Sequence, residues 1–278
     1  MKLTYLLRAE LLKLFKQSKT YYAIGAIFVI ELLIFMTAYY QGSTILDLLL
    51  NSLKQSFYFE GSLLNGNLIL YIVLNSLWFN VPLIIMIVTS SMITDEYKDG
   101  TLQTVMLQAV NKSSFILAKY MVVMLFTLSV VLFIMLSSCL MAYSIFGKGD
   151  LVVYLNTLNF FESEDAFYRI CLAFASGAVA MVFYSIVSTT IALFVQEATK
   201  AWIMAGLFLV LTNLLLKIDL GSPLMNQFFF PKLIDTWQQL FYYELDGGRI
   251  WWNNVVLMLY SALAILLGMV TFYKKDII

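Results

Sequence analysis

The chain has no histidine, only two cysteines and three prolines among its 278 residues, and little charge of either sign. Without histidine there is no His-ligated zinc, no His-bound haem and no imidazole general base. Cys139 and Cys171 both sit inside long apolar runs, so they read as small buried apolar residues and not as a disulfide framework. No Gly-x-x-x-x-Gly-Lys-Ser/Thr stretch occurs. The nearest fragment, Gly147-Lys148-Gly149-Asp150, lacks the spacing of a phosphate cradle, so the chain shows no nucleotide-binding loop of its own. No basic stripe points to a nucleic-acid partner. Charged residues are 12% and hydrophobic residues 62%, against about 25% and about 45–50% in a soluble domain. That leaves too little polar surface to cover a water-soluble globule. It excludes a cytosolic enzyme, a disordered chain and a secreted disulfide scaffold, and it points to a polytopic membrane protein.

A membrane-crossing helix needs about 20 mainly apolar residues. Six stretches qualify: Tyr21–Tyr40, Leu68–Ile93, Tyr120–Phe146, Phe167–Val195, Ala201–Leu216 and Asn253–Tyr273. The expected fold is all-α, one transmembrane domain over residues 1–278. The first twenty residues read as a basic amphipathic helix on the membrane surface, not as a cleaved signal. Leu3, Leu7, Leu11 and Leu14 share one face, with Lys2, Lys13 and Lys16 opposite. Six spans put both termini on one side. With that side inside, the inner segments hold eleven of the 17 cations, and the acids skew the other way. The cation bias predicts cytoplasmic termini in the cell membrane. Of the outer connections, Gln41–Asn67 contains an amphipathic-looking run from Thr44 to Phe59, and Gly147–Ala166 is acidic. Lys217–Trp252 is rich in aromatics from Phe228 to Trp252, which suggests a segment dipping into the membrane interface. Pro223 and Pro231 would break any single long helix there.

Between the second and third spans lie Asp95, Glu96 and Asp99, then Gly100-Thr101, then a short run with Leu102, Val105, Met106 and Ala109 at one-faced helical spacing, then Lys119 at the mouth of the next span. Gly100 permits a sharp reversal and Thr101 can cap the helix that follows. A short helix with one apolar face can dock into a groove on a partner. An ordinary amphipathic loop sealing the membrane surface is the plainer alternative.

This segment resembles the permease subunits of type-two ATP-binding-cassette exporters. Their pattern here is Glu-x-x-x-Gly-Thr-Leu-Glu-x-Leu-Leu-x-x-Pro-Val-Ser-Arg with a later Lys. Glu96, Gly100, Thr101, Leu102, Val105, Met106, Val110 and Lys119 stand in register. Gln103, Ala109, Asn111 and Lys112 depart from it. The terminal Phe272-Tyr273-Lys274-Lys275-Asp276-Ile277 is also similar to the family's end. The resemblance implies that Glu96, Gly100, Thr101, Leu102, Val105 and Met106 belong to a coupling helix resting on a separate ATPase subunit. It also implies re-entrant helices between spans five and six, and pairing with a second copy or a similar permease. ATP and Mg would be held by the partner subunit, with no cofactor, metal or catalytic residue on this chain. The cargo is open, with a slight tilt towards a peptide or lipid-like molecule.

Glu31 lies mid-span, where an acid costs about 2.5–3.5 kcal/mol on insertion. A substrate-path or proton role competes with a structural hydrogen bond to a neighbouring span. Small residues from Ala173 to Ala180, and Ala264 with Gly268, suit close helix packing within the chain or at a dimer interface. Two rival functions remain: an ion-coupled secondary transporter, which would have to work largely through Glu31, and a membrane-embedded transferase holding metal through Asp95, Glu96 and Asp99.

Overall fold

The structure is a computed structural model that describes residues 3–50, 63–107, 111–155 and 157–275. The chain runs α1 (Leu3–Lys16), α2 (Ser18–Leu50), α3 (Gly66–Lys98), α4 (Thr101–Met106), α5 (Lys112–Phe146), β1 (Leu151–Leu155), β2 (Thr157–Phe161), α6 (Ser163–Val195) and α7 (Ala198–Leu215). It continues through α8 (Pro223–Phe228), α9 (Phe230–Ile234), a 3-10 helix (Asp235–Phe241) and α10 (Gly247–Lys274). Among the described residues six helices, α2, α3, α5, α6, α7 and α10, are long and apolar enough to cross a membrane. They contain five of the six expected spans whole, and α7 ends one residue before the fifth, at Leu215; the chain is a multi-pass membrane protein.

The helices outrun the apolar stretches. α3 and α6 have 33 residues each and α5 has 35. At 1.5 Å per residue each is about 50 Å long, against a hydrocarbon core of about 30 Å. α5 therefore begins at Lys112, so Lys119 sits two turns inside a helix and not at its mouth. α2 likewise continues past Tyr40 to Leu50. The rest of the Thr44–Phe59 run lies outside the described residues, as do Lys2, Ala109, Val110, Asp276 and Ile277.

The all-α expectation needs one correction. The second connection carries an antiparallel hairpin, with Leu151 opposite Phe161 and Leu155 opposite Thr157. Its strands are built of leucine, valine and aromatic residues that suit a half-buried pleat, and Leu151, Val153 and Phe161 point into the core. Polar groups bind this hairpin to the start of α3. Asn65 Nδ2 donates to Asp150 O at 2.7 Å, Asn67 Nδ2 to Gly149 O at 2.7 Å, and Tyr143 Oη to Asn67 Oδ1 at 2.6 Å.

α6 is the central helix: 61% of its apolar window is buried, against 22% for α2 and α7. Its small residues let neighbours approach closely, and Gly177 faces Trp78 of α3. The main core joins α2, α3, α5 and α6 with Trp237 and Phe241 of the 3-10 helix. A second cluster, at the end carrying both termini, joins Leu6, Leu102, Phe115, Tyr120, Leu193 and Phe272. A third, with Met86, Tyr184, Leu209, Ile234 and Leu257, closes α7, α9 and α10 onto α3 and α6. Pro223 and Pro231 each open a short helix, so the last connection folds as broken turns. These turns reach in among the long helices: Trp237 lies 5.0 Å from Trp78, and Phe230 stacks on Phe208 at 5.9 Å.

Gly268 of α10 packs so tightly that a Cβ would run into the Tyr120 hydroxyl, which is itself bonded to Thr190 Oγ1 at 2.7 Å. The Ala264/Gly268 pair is thus used within the chain. In an exposed helix Gly→Ala would stabilise by about 1 kcal/mol. Gly268→Ala should instead destabilise by about 1–3 kcal/mol through overpacking, read as a lower thermal midpoint in detergent. Adding Tyr120→Phe should restore part of the loss. A neutral Gly268→Ala would refute the close contact.

Candidate functional site: a buried ion-pair ring at the termini end

α1 is held down by charge as well as by leucine. Its buried stripe is Leu6, Glu10 and Leu14, with Leu3, Leu7 and Leu11 half-buried beside it. The stripe lies against α5 and the end of α3, so α1 is packed on protein and does not float on a surface by itself. Lys119, 1% exposed, donates to Glu10 Oε2 at 2.8 Å and to Met92 O at 3.2 Å, and pairs with Glu96 Oε1 at 2.9 Å. Lys13 Nζ closes the circuit, 2.9 Å from Glu10 Oε1 and 2.8 Å from Glu96 Oε1. The result is a closed ring, Lys119–Glu10–Lys13–Glu96, spanning α1, α3 and α5. Lys19 adds α2 through Asp95 at 2.8 Å. Glu96 Oε2 is buried and has no partner.

Burial pushes the Glu10 carboxyl up, but Lys119 and Lys13 outweigh it and hold it below its ordinary 4.5. Burial likewise favours the neutral Lys13 amine, but Glu96 and Glu10 reverse that and hold it above its ordinary 10.5. Each group keeps the other ionised, and the ring carries no net charge. It acts as a rigid electrostatic clasp between three helices. Among the described residues no three His, Cys, Asp or Glu side chains converge as metal ligands. Asp95 and Glu96 face lysines instead.

The sequence-predicted coupling residues are only partly where docking would need them. Glu96 is in the ring. Gly100 takes the cap position of α4 with φ +65 and open space around it, so the backbone conformation favours glycine there, not crowding. Thr101 is the first helical residue and does not cap. Leu102 is 3% exposed, and Val105 and Met106 are half-buried, all against the chain's own second cluster. The apolar face of α4 is therefore spent internally, because it is the nearest cover for Leu6, Ile93 and Phe115. The face left open is Thr101, Gln103, Thr104 and Leu107.

Glu31 is fully buried between α2 and α5. Ser138 Oγ donates to its Oε1 at 2.7 Å and Ser137 Oγ to its Oε2 at 2.8 Å. This matches the structural hydrogen bond weighed for it. Sequence reading missed Glu10 and Arg169. An acid on the Leu6–Leu14 stripe was the available signal for Glu10. Arg169, at the start of α6, had none. It donates to Asp165 at 2.8 Å, to the carbonyls of Leu240 at 2.9 Å and Tyr242 at 2.8 Å, and lies over the Phe161 ring. It thereby fastens the last connection to the hairpin.

A six-span chain with a charged clasp under its termini is the class the geometry defines. The chain belongs to the DUF2705 family, described as a protein of unknown function, whose family model matches residues 48–278. No curated protein matches it.

Removing Lys119 leaves two buried carboxylates sharing one half-exposed cation, Lys13. Lys119→Met should cost about 3–5 kcal/mol of stability, seen as a lower thermal midpoint. Adding Glu10→Gln and Glu96→Gln should recover much of it. The Glu10 carboxyl is depressed, so its contribution is present above pH 4.5 and is lost as pH falls through its lower folded value. Glu10→Gln should flatten that acid limb of the stability profile. An unchanged limb would refute the pairing.

Proposed function

We propose that this chain is the membrane permease subunit of an ATP-driven transporter, with ATP hydrolysed on a separate ATP-binding-cassette subunit. The observation that carries the reading is the ring of Glu10, Lys13, Glu96 and Lys119. α4 follows Glu96 directly across the Gly100 turn, so a displacement of α4 is passed by charge and packing to α1 and α5 together. The resemblance of this segment to the exporter coupling region supports the same reading. The partner meets Gln103, Thr104 and Leu107, with Leu102, Val105 and Met106 anchoring α4 from beneath. A second copy or a similar permease completes the path. ATP and Mg belong to the partner, and the end with both termini faces the cytoplasm of the cell membrane.

Two experiments test this. With Cys139 and Cys171 replaced by Ala, a cysteine at Glu164 should react with an impermeant thiol reagent on intact cells, and one at Ser113 should not. The reverse pattern would invert the topology. Separately, Thr104→Trp with Leu107→Asp, both exposed positions, should leave the stability within about 0.5 kcal/mol of wild type. The same pair should abolish co-purification with an ATP-binding-cassette ATPase subunit that the unaltered chain retains. Cargo movement by the lone chain under an ion gradient, lost in Glu31→Gln, would favour the ion-coupled rival. Turnover lost on chelation and in Asp99→Asn would favour the transferase.

A further inference from the structure

α1 has two faces, and the ring uses only one of them. Leu6, Glu10 and Leu14 point into the protein. At about 3.6 residues per turn the opposite face carries Tyr5, Arg8, Leu12, Phe15 and Lys16. All five are exposed, Tyr5 by 64%, Leu12 by 52% and Phe15 by 47%. Arg8 and Lys16 make no hydrogen bond or ion pair among the described residues. Glu10, the one acid of α1, is buried in the ring, so the outer face is apolar and cationic. Its level is fixed by the chain. Only Gln17 separates α1 from the membrane-crossing α2, and Thr20 Oγ1 donates back to Leu14 O at 2.7 Å across that corner. Tyr21 and Tyr22, exposed at the start of α2, are of the residue type that marks a membrane–water interface. The outer face of α1 therefore continues the lipid-facing surface of α2 at headgroup level.

We propose that this face of α1 is a binding surface for anionic phospholipid. Tyr5, Leu12 and Phe15 enter the boundary between headgroups and acyl chains, and Arg8 and Lys16 take the phosphates. A helix with an apolar and basic face lies in the interface in this way, and anionic headgroups add to its binding. The Arg8 guanidinium suits a phosphate through paired N–H donors. The face that does this is not the leucine stripe. That stripe suits a membrane by sequence, but the structure spends it on α3 and α5, and the lipid receives the side left over. The same helix carries Glu10 and Lys13, so a headgroup that seats α1 also steadies the ring. A protein partner suits the face less well, because the α2 surface it adjoins is apolar and membrane-spanning. The inference rests on the multi-pass architecture alone and is tested without an ATPase.

The test uses the full-length chain in nanodiscs of phosphatidylcholine, alone or mixed equally with phosphatidylglycerol. With Cys139 and Cys171 replaced by Ala, a nitroxide at Leu12→Cys should be relaxed by oxygen and shielded from a water-soluble nickel chelate. One at Ser113→Cys should be open to the chelate. In the unlabelled chain, spin-labelled phosphatidylglycerol should be retained about fivefold over spin-labelled phosphatidylcholine. Arg8→Gln with Lys16→Gln should remove most of that preference. Lys98→Gln with Lys200→Gln, the same loss of charge at exposed positions of the same end, should leave most of it. Phosphatidylglycerol should raise the thermal midpoint of the wild-type chain and not that of the Arg8 and Lys16 double variant. Both double variants change exposed side chains, so in phosphatidylcholine alone they should melt with wild type. A nitroxide at position 12 that is open to the chelate in both bilayers would mean a face that waits for a protein, and would overturn the proposal. Equal retention of the two lipids, or equal loss of preference in the two double variants, would do the same.

Discussion

Lys119 organises the end of the molecule where both termini lie. Its ammonium is 1% exposed, two turns inside α5. A buried unpaired ammonium costs several kcal/mol, so the fold must bring it acids. Glu96 comes from the last turns of α3, and Glu10 comes from a separate helix that has to lie across α5 to reach it. Lys13 then takes the Glu10 oxygen that Lys119 leaves over and shares Glu96 Oε1 with it. The position of α1, the end of α3 and the entry of α5 are thus one electrostatic decision. The reversal at Gly100 and the packing of Leu102 follow from it, because α4 starts where that end of α3 is pinned.

The opposite end uses a different physical device. Backbone groups near a membrane must be satisfied within the protein. Here Asn65 and Asn67 donate to the carbonyls of Asp150 and Gly149, Tyr143 donates to the Asn67 side chain, and Arg169 donates to the carbonyls of Leu240 and Tyr242. One buried guanidinium joins hairpin, central helix and broken connection without needing a regular element to do so. The two ends therefore differ in kind: a closed ring of charges that couples helices, and a set of side-chain-to-backbone bonds that shapes the connections.

Within the span region the energetic logic is close packing. Gly268 against Tyr120, and Gly177 against Trp78, let α10 and α3 approach the centre. Glu31 is accommodated by two serine hydroxyls of α5, an arrangement that makes its burial tolerable and adds a polar link between α2 and α5.

The six long helices were legible from residue order because a stretch of about 20 apolar residues admits few alternatives. The breaks at Pro223 and Pro231 were legible too, since proline cannot continue a helix interior. The reversal at Gly100 was legible for a similarly local reason. The hairpin at Leu151–Phe161 was not, as its short apolar strands look like connection until Asn65 and Asn67 are seen to hold them. Nor was the direction in which α4 faces. Its spacing defines an apolar stripe, but whether that stripe meets a partner or the chain's own Leu6 and Phe115 depends on where α1 lies. That in turn depends on Glu10 finding Lys119, 109 residues away. Hydrophobic period and chain breakers are local properties and can be read along the sequence. The pairing of buried charges and the choice between inner and outer faces are long-range, and only the packed structure settles them.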